Sequence, residues 1–169
     1  AARSYFEAFD HLILAQKEDF RFVGRNRRPP LDNVNALLSF LYALLAHDAR
    51  SACESAGLDS AVGFLHADRP GRPALALDLM EEFRPLVVDS AAITTVNTGM
   101  VTAGDFVRSN AGCMLTDTGR KSFIRAYEGR LDQLATHPTF DYRCSWRSII
   151  RLQASLLARW LTGDVPEYT

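Results

Sequence analysis

Cysteine is scarce: Cys53, Cys113 and Cys144 are the only three, they lie far apart, and none belongs to a C-x-x-C pair. An odd, unpatterned count argues against a disulfide framework and a zinc site. It leaves each thiol as a small buried apolar residue in a reducing, cytosolic setting. Long apolar runs are missing too, so no membrane span is expected, and no signal-peptide pattern is visible. Internal repeats and low-complexity stretches are likewise absent. The formal net charge of −1 is too small to draw nucleic acid in bulk, so any phosphate contact must come from local basic patches or a partner. The first residue is Ala1, inside what reads as a helix already under way, so a fragment or one lobe of a longer polypeptide is expected.

What is present is ordinary globular composition, 47% hydrophobic and 23% charged over 169 residues, enough for one domain with a substantial core. The apolar period is mainly helical. Tyr5, Phe6, Phe9, Leu12 and Ile13 share a face within 1–16. Gly24 and the Pro29–Pro30 pair then mark a loop. Asp32 is placed to cap a helix running to Ala56, with Val34, Leu37, Leu38, Leu41, Leu44 and Leu45 as its apolar stripe and Gly57 as its stop. A short helical segment is expected to carry His66, followed by a tight bend at 68–73. Pro73 opens the next helix, which Pro85 kinks or restarts and which continues to Asn97. Residues 102–105 read as linker and FVRSNAGCMLT as a hairpin. Two more helices are predicted over 118–134 and 142–162. The fold class is therefore mainly all-α: a helical bundle, a single lobe over 1–169, with one small β-hairpin excursion near 106–115.

The chemistry concentrates in GFLHADRPGRPALALDLMEEFRP. Asp78 and Glu81, three apart on a helix, project from one face. His66 lies across a Pro/Gly-rich bend able to fold back onto them. Two hard oxygen donors and an imidazole suit Mn²⁺ or Mg²⁺, although acidic pairs at this spacing usually decorate solvated faces. Glu82, four residues after Asp78, competes with Glu81. His11, His47 and His137 have no clustered carboxylates and receive no role. Two basic groups are placed to meet a phosphate backbone without reading sequence: Arg25, Arg27 and Arg28 ahead of the prolines, and Arg143, Arg147 and Arg151 spaced by four along the final helix.

The runs RNRRPPLDNVNALLSFLYALL, GLDSAVGFLHADRPGRPALALDLMEEFRPLVVD, TAGDFVRSNAGCMLTDTGRKSFIRAYEGRL and WRSIIRLQASLLARWLTGDVPEY resemble the helical catalytic lobe of the CRISPR-associated integrase family. The resemblance covers nearly the whole chain, and Ser60 stands where the family usually has proline. It implies a metal-dependent DNA endonuclease and integrase using Mg²⁺ or Mn²⁺, with His66, Asp78 and Glu81 at the family's metal-ligand positions. A further family glutamate normally comes a few residues before AARSYF; Glu7 does not occupy that position. The family's N-terminal β-rich lobe, which forms its dimer, is not represented.

The implied partners are double-stranded DNA with 3′ overhangs, CRISPR repeat DNA, a second copy in a homodimer, and a small ferredoxin-like dimer bridging two such dimers. In some members a fused or associated iron–sulfur exonuclease joins them. No membrane is implied. The implied reaction is a transesterification in which a captured fragment's 3′-hydroxyl attacks a phosphodiester at the repeat border. The alternative is a non-catalytic helical DNA-binding or scaffold module whose acidic cluster is incidental.

Overall fold

The computed structural model describes residues 2–67, 69–137 and 140–168, and the side chains of Ala2 and Arg3 are outside the description. Among these residues, six α-helices and two two-stranded hairpins follow one another: α1 (Ala2–Phe9), α2 (Asn33–Ser55), α3 (Ala74–Phe83), α4 (Ser90–Asn97), β1 (Phe106–Ser109), β2 (Gly112–Leu115), α5 (Asp117–Asp132), β3 (Leu134–Thr136), β4 (Arg143–Ser145) and α6 (Trp146–Leu161). The mainly helical class is as the sequence implies, and so is the first hairpin, antiparallel with Phe106 opposite Leu115 and Ser109 opposite Gly112. The chain folds as two compact units. One comprises Ala1–Tyr42 with Val88–Glu128, the other Ala43–Val87 with Gly129–Thr169.

In the first unit, Phe9 and Phe22 pack with ring centroids 5.0 Å apart, beside buried Ile13, Phe20, Leu37, Leu38 and Leu41. Asp89 is buried and accepts hydroxyl hydrogen bonds from Tyr5 at 2.7 Å and Tyr42 at 2.6 Å. Helix α1 is shorter than the apolar period implies. It tightens into a 3₁₀ turn over Asp10–Leu12, beyond which Asn97 takes over the backbone. Its amide accepts from the N–H groups of Leu14 and Ala15 and donates to the carbonyl of Leu12. A long-range side chain thus supplies the bonds a longer helix would have made internally, which no local period reveals.

The start of α2 is as expected: Asp32 Oδ1 accepts the Asn35 N–H at 2.8 Å. Asn35 is itself fully buried, and its amide accepts from Arg25 and the Asn26 N–H while donating to the Gly24 carbonyl and Asp32. The loop ahead of the helix is therefore fastened through one side chain.

In the second unit, Leu45, Ala49 and Cys53 from α2 are buried, as are Leu75, Leu79 and Phe83 from α3 and Ile149, Ile150, Ala154 and Leu157 from α6. Pro85 does interrupt α3, with a physical signature: Arg84–Asp89 form a wide π-turn before α4 resumes the helix. Proline has no N–H to offer the ladder. Farther along the turn the Leu86 carbonyl accepts from the Arg130 guanidinium, at 2.9 Å from Nε, and that guanidinium lies over the Trp146 ring.

Two expectations need correction here. The segment bearing His66 is a series of bends and not a helix, and α6 begins at Trp146, not near 142. Residues 143–145 form β4, antiparallel to β3. The connecting turn buries His137 between Phe140 and Tyr142. Strands of three residues are too short for a two-residue period to register against flanking helices.

Asn35→Ala should cost about 2 kcal/mol, because the half-buried Asn26 N–H and Gly24 carbonyl lose their side-chain partner. Urea denaturation of the variant beside the native protein measures this directly.

Candidate functional site

The turn between α2 and α3 delivers His66 to Asp78, and the chain provides three local reasons. Gly57, at φ +79°, ends α2 with Leu58 N–H bonded back to the Cys53 carbonyl, so the chain reverses there. The Ser60 carbonyl then accepts the first free amides of α3, Leu75 at 3.0 Å and Ala76 at 3.4 Å, doing for that helix what a side-chain cap would do. Gly63 lies so close to α3 that a Cβ would stand 2.7 Å from the Ala74 Cβ and 2.9 Å from the His66 carbonyl. Only glycine permits that approach.

Asp78 collects the turn. Its Oδ2 accepts the N–H groups of Phe64 at 2.6 Å and Leu65 at 2.9 Å. Its Oδ1 accepts the His66 N–H at 3.0 Å and lies 2.6 Å from His66 Nδ1. The carboxylate accepts, so Nδ1 carries a proton, and in the neutral ring Nε2 keeps its lone pair. The imidazole is 26% exposed and the carboxylate 9%. Burial pushes the Asp78 carboxyl up, but the amides of Leu65, Phe64 and His66 and the imidazole outweigh it and hold the group below its ordinary value.

The acids that follow diverge. Glu81 is 41% exposed and bound by the Arg84 guanidinium at 2.6 and 2.7 Å. Glu82 faces α6 and the C-terminal segment, accepting from Gln153 at 3.2 Å and from the Tyr168 hydroxyl at 2.6 Å. The structure thus brings His66 and Asp78 together and leaves Glu81 on the neighbouring surface with Arg84. Among the described residues, no three His, Cys, Asp or Glu side chains gather into a metal-holding group. Asp78 accepts four hydrogen bonds, whereas among the described residues the Glu81 carboxylate is shared with Arg84 alone and the neutral His66 ring offers Nε2.

The basic groups divide as well. Arg25 is committed inward, its guanidinium bonded to the Asn26 carbonyl at 2.6 Å, Asn35 Oδ1 at 2.7 Å and Ser39 Oγ at 3.1 Å, and lying 5.3 Å from the Tyr42 ring centroid. Arg27 and Arg28 are exposed. Arg143 is exposed on β4, three residues ahead of α6, so only Arg147 and Arg151 form a helical pair. Arg147 also reaches Asp132 at 3.3 Å. Sequence reasoning missed Arg84 and the three turn amides. The spacing of Glu81 and Arg84 is a readable ion-pair signal, whereas amide donors leave no mark in the side-chain sequence.

The family model for CRISPR associated protein Cas1 matches residues 1–129, and the chain belongs to that family. It is 53% identical over 169 residues to CRISPR-associated endonuclease Cas1 2 of Rhodospirillum rubrum, covering 99% of this chain and 49% of the relative. It is 48% identical over 171 residues to a CRISPR-associated exonuclease Cas4/endonuclease Cas1 fusion of Geobacter sulfurreducens, covering 99% of the chain and 31% of the fusion. Among solved structures it is similar to a casposase bound to integration product, with TM-score 0.88 and 29% identity over 97% of this chain and 46% of that one. The chain thus spans half or less of the length of these relatives.

Asp78 carries its negative charge more readily in the folded state than in the unfolded chain. Its stabilising contribution is present above the ordinary value of 3.8 and is lost as pH falls through the lower folded value. Asp78→Asn has no carboxylate to titrate there and should lose less stability on acidification. Urea midpoints collected across the acid range for both proteins test this.

Proposed function

We propose that this chain is the catalytic lobe of a metal-dependent DNA endonuclease and integrase that joins captured DNA fragments to a CRISPR array by transesterification. The observation that carries the reading is the His66–Asp78 pair at 2.6 Å, on a chain whose relatives are named Cas1 endonucleases. Resemblance to a casposase holding an integration product favours strand joining over simple hydrolysis.

The residues present fit a divalent cation in part. A carboxylate behind a histidine fixes the ring tautomer and raises its basicity, the usual support for a metal-ligating imidazole. His66 Nε2 is thereby prepared as a donor, with Asp78 as the positioning residue behind it. Glu81 is the carboxylate left for direct ligation once Arg84 turns to a phosphate. Mg²⁺ or Mn²⁺, when bound, supplies Lewis-acid stabilisation of charge developing on the phosphodiester.

In the joining step the fragment's 3′-hydroxyl forms a new P–O bond as the repeat strand's 3′-oxygen departs. The proton released by the first oxygen is taken up by the second through solvent. His66 and Glu81 would hold the cation that offsets charge on the reacting phosphate, and Arg84, freed from Glu81, neutralises one of its oxygens. Arg27, Arg28, Arg143, Arg147 and Arg151 neutralise backbone phosphates. Arg25 holds the loop that displays its two neighbours. The working assembly is a homodimer with a small ferredoxin-like partner, and the Geobacter fusion supports cooperation with an exonuclease.

A second reading, a non-catalytic DNA-binding module, is favoured by the Glu81–Arg84 pairing, which neutralises the acid in place. The two readings diverge on cation dependence. In the full-length parent protein, Asp78→Asn should lower Mn²⁺-dependent strand joining about 10–100-fold while duplex affinity holds. His66→Ala should abolish the Mn²⁺-induced thermal shift. Undiminished joining by Asp78→Asn, with the thermal shift intact in His66→Ala, would establish the second reading instead. For the arginines, the Arg147→Ala, Arg151→Ala double variant should flatten the logarithmic salt dependence of duplex binding, read from a salt titration. The slope should fall by about 0.9 for each phosphate that is no longer neutralised.

A further inference from the structure

Within the second unit, Asp48, Ser51, Ala52 and Ser55 share one face of α2, because residues three and four apart lie on the same side of a helix. Arg147, Ile150 and Arg151 share a face of α6 in the same way. With Leu131 from the end of α5, these two faces wall a cleft of about 120 Å³. Its apolar members, Ala52, Leu131 and Ile150, are buried, whereas Ser51, Ser55 and Arg151 are exposed. Polar groups therefore ring an apolar floor.

The lining sets two guanidinium groups against one carboxylate, so the cleft is net positive in a chain whose total charge is −1. Asp132, outside the lining, draws Arg147 towards itself at 3.3 Å from both Nε and Nη2. Arg151 has no such partner among the described residues, and folding leaves its charge uncompensated. The hydroxyls also differ. Ser55 donates to the Ser51 carbonyl at 2.7 Å and is spent as a donor. The Ser51 hydroxyl makes no hydrogen bond among the described residues and is left to turn its proton into the cleft. A small anion with several acceptor oxygens satisfies both kinds of donor together, guanidinium from α6 and hydroxyl from α2.

We propose that this cleft seats a single backbone phosphate of duplex DNA, held by Arg147 and Arg151 from α6 and by the Ser51 hydroxyl from α2. The inference rests on the DNA reading above and adds to it a fixed point of contact and a neutral donor. A diffuse basic face is indifferent to an uncharged hydroxyl. A seat is not, because a hydrogen bond acts only at a defined distance and angle. Such a contact sets the register of the duplex on the lobe without reading its sequence.

The test measures fluorescence anisotropy of a fluorescein-labelled duplex across a salt titration. It compares the full-length parent protein with Ser51→Ala, Ser51→Thr and Arg151→Ala, each checked by thermal melting. Ser51→Ala should bind about tenfold more weakly at every salt concentration, with the logarithmic salt slope unchanged because no charge is lost. Ser51→Thr keeps the hydroxyl and should keep the native affinity. Arg151→Ala should lose affinity together with about 0.9 of the slope. Native affinity in Ser51→Ala, with Arg151→Ala still weakened, overturns the seat and leaves a diffuse basic face and the DNA reading in place. A preference for 5′-phosphorylated over 5′-hydroxyl duplex that disappears in Ser51→Ala overturns the backbone assignment in favour of a terminal phosphate. Absence of binding by every form, the native protein included, brings down the DNA reading and the seat with it.

Discussion

One half-buried carboxylate organises the ground around the candidate site. Asp78 accepts three consecutive backbone amides and an imidazole N–H, so a single negative charge fixes both the path of the turn and the orientation of the ring it carries. The turn has no regular structure of its own and cannot satisfy those amides internally, and the helix supplies the missing acceptor. Its demands propagate outward. Gly63 must lack a Cβ for the turn to come near α3, and the Ser60 carbonyl must reach the first amides of that helix. A residue that reads as a metal donor by spacing thus acts by positioning another donor.

The three acids of α3 show how tertiary partners assign chemistry to equivalent side chains. Asp78, Glu81 and Glu82 lie within two turns of one helix. Asp78 is held by the turn, Glu81 by an arginine three residues later, and Glu82 by α6 and Tyr168. The arginines divide in the same way. Arg25 is taken up by Asn35 and Ser39, whereas Arg27 and Arg28, two and three residues on, face solvent. Guanidinium groups held by neutral oxygens keep a loop in shape; those left in water remain available to phosphate. The lobe's electrostatics therefore follow from which charges folding consumes, and not from the nearly neutral total.

Much of the fold was readable from residue order. The cap at Asp32, the stripe through Leu37, Leu38 and Leu41, the stop at Gly57 and the hairpin over 106–115 are local devices, each resolved over a few residues. Pro85 announced an interruption, although not its form as a π-turn, nor that Arg130, distant in sequence, would bond the Leu86 carbonyl within it. The β3–β4 hairpin and the buried His137 were not readable. Three-residue strands carry no usable period, and burial of a histidine is settled by the rings around it.

For the site, residue order determined the candidate donors and their likeness to an integrase lobe, because helical spacing and the GFLH and DLMEEFRP runs are properties of the chain itself. Only the tertiary structure decided that Asp78 grips His66, that Arg84 holds Glu81, and that Tyr168 returns from the far end of the chain to Glu82. Spacing along a helix fixes which way a side chain points. What it meets there depends on segments distant in sequence, and hydrogen-bond donors on the backbone are the same for every residue except proline. Donor identity is therefore written in the sequence, and donor availability is a consequence of folding.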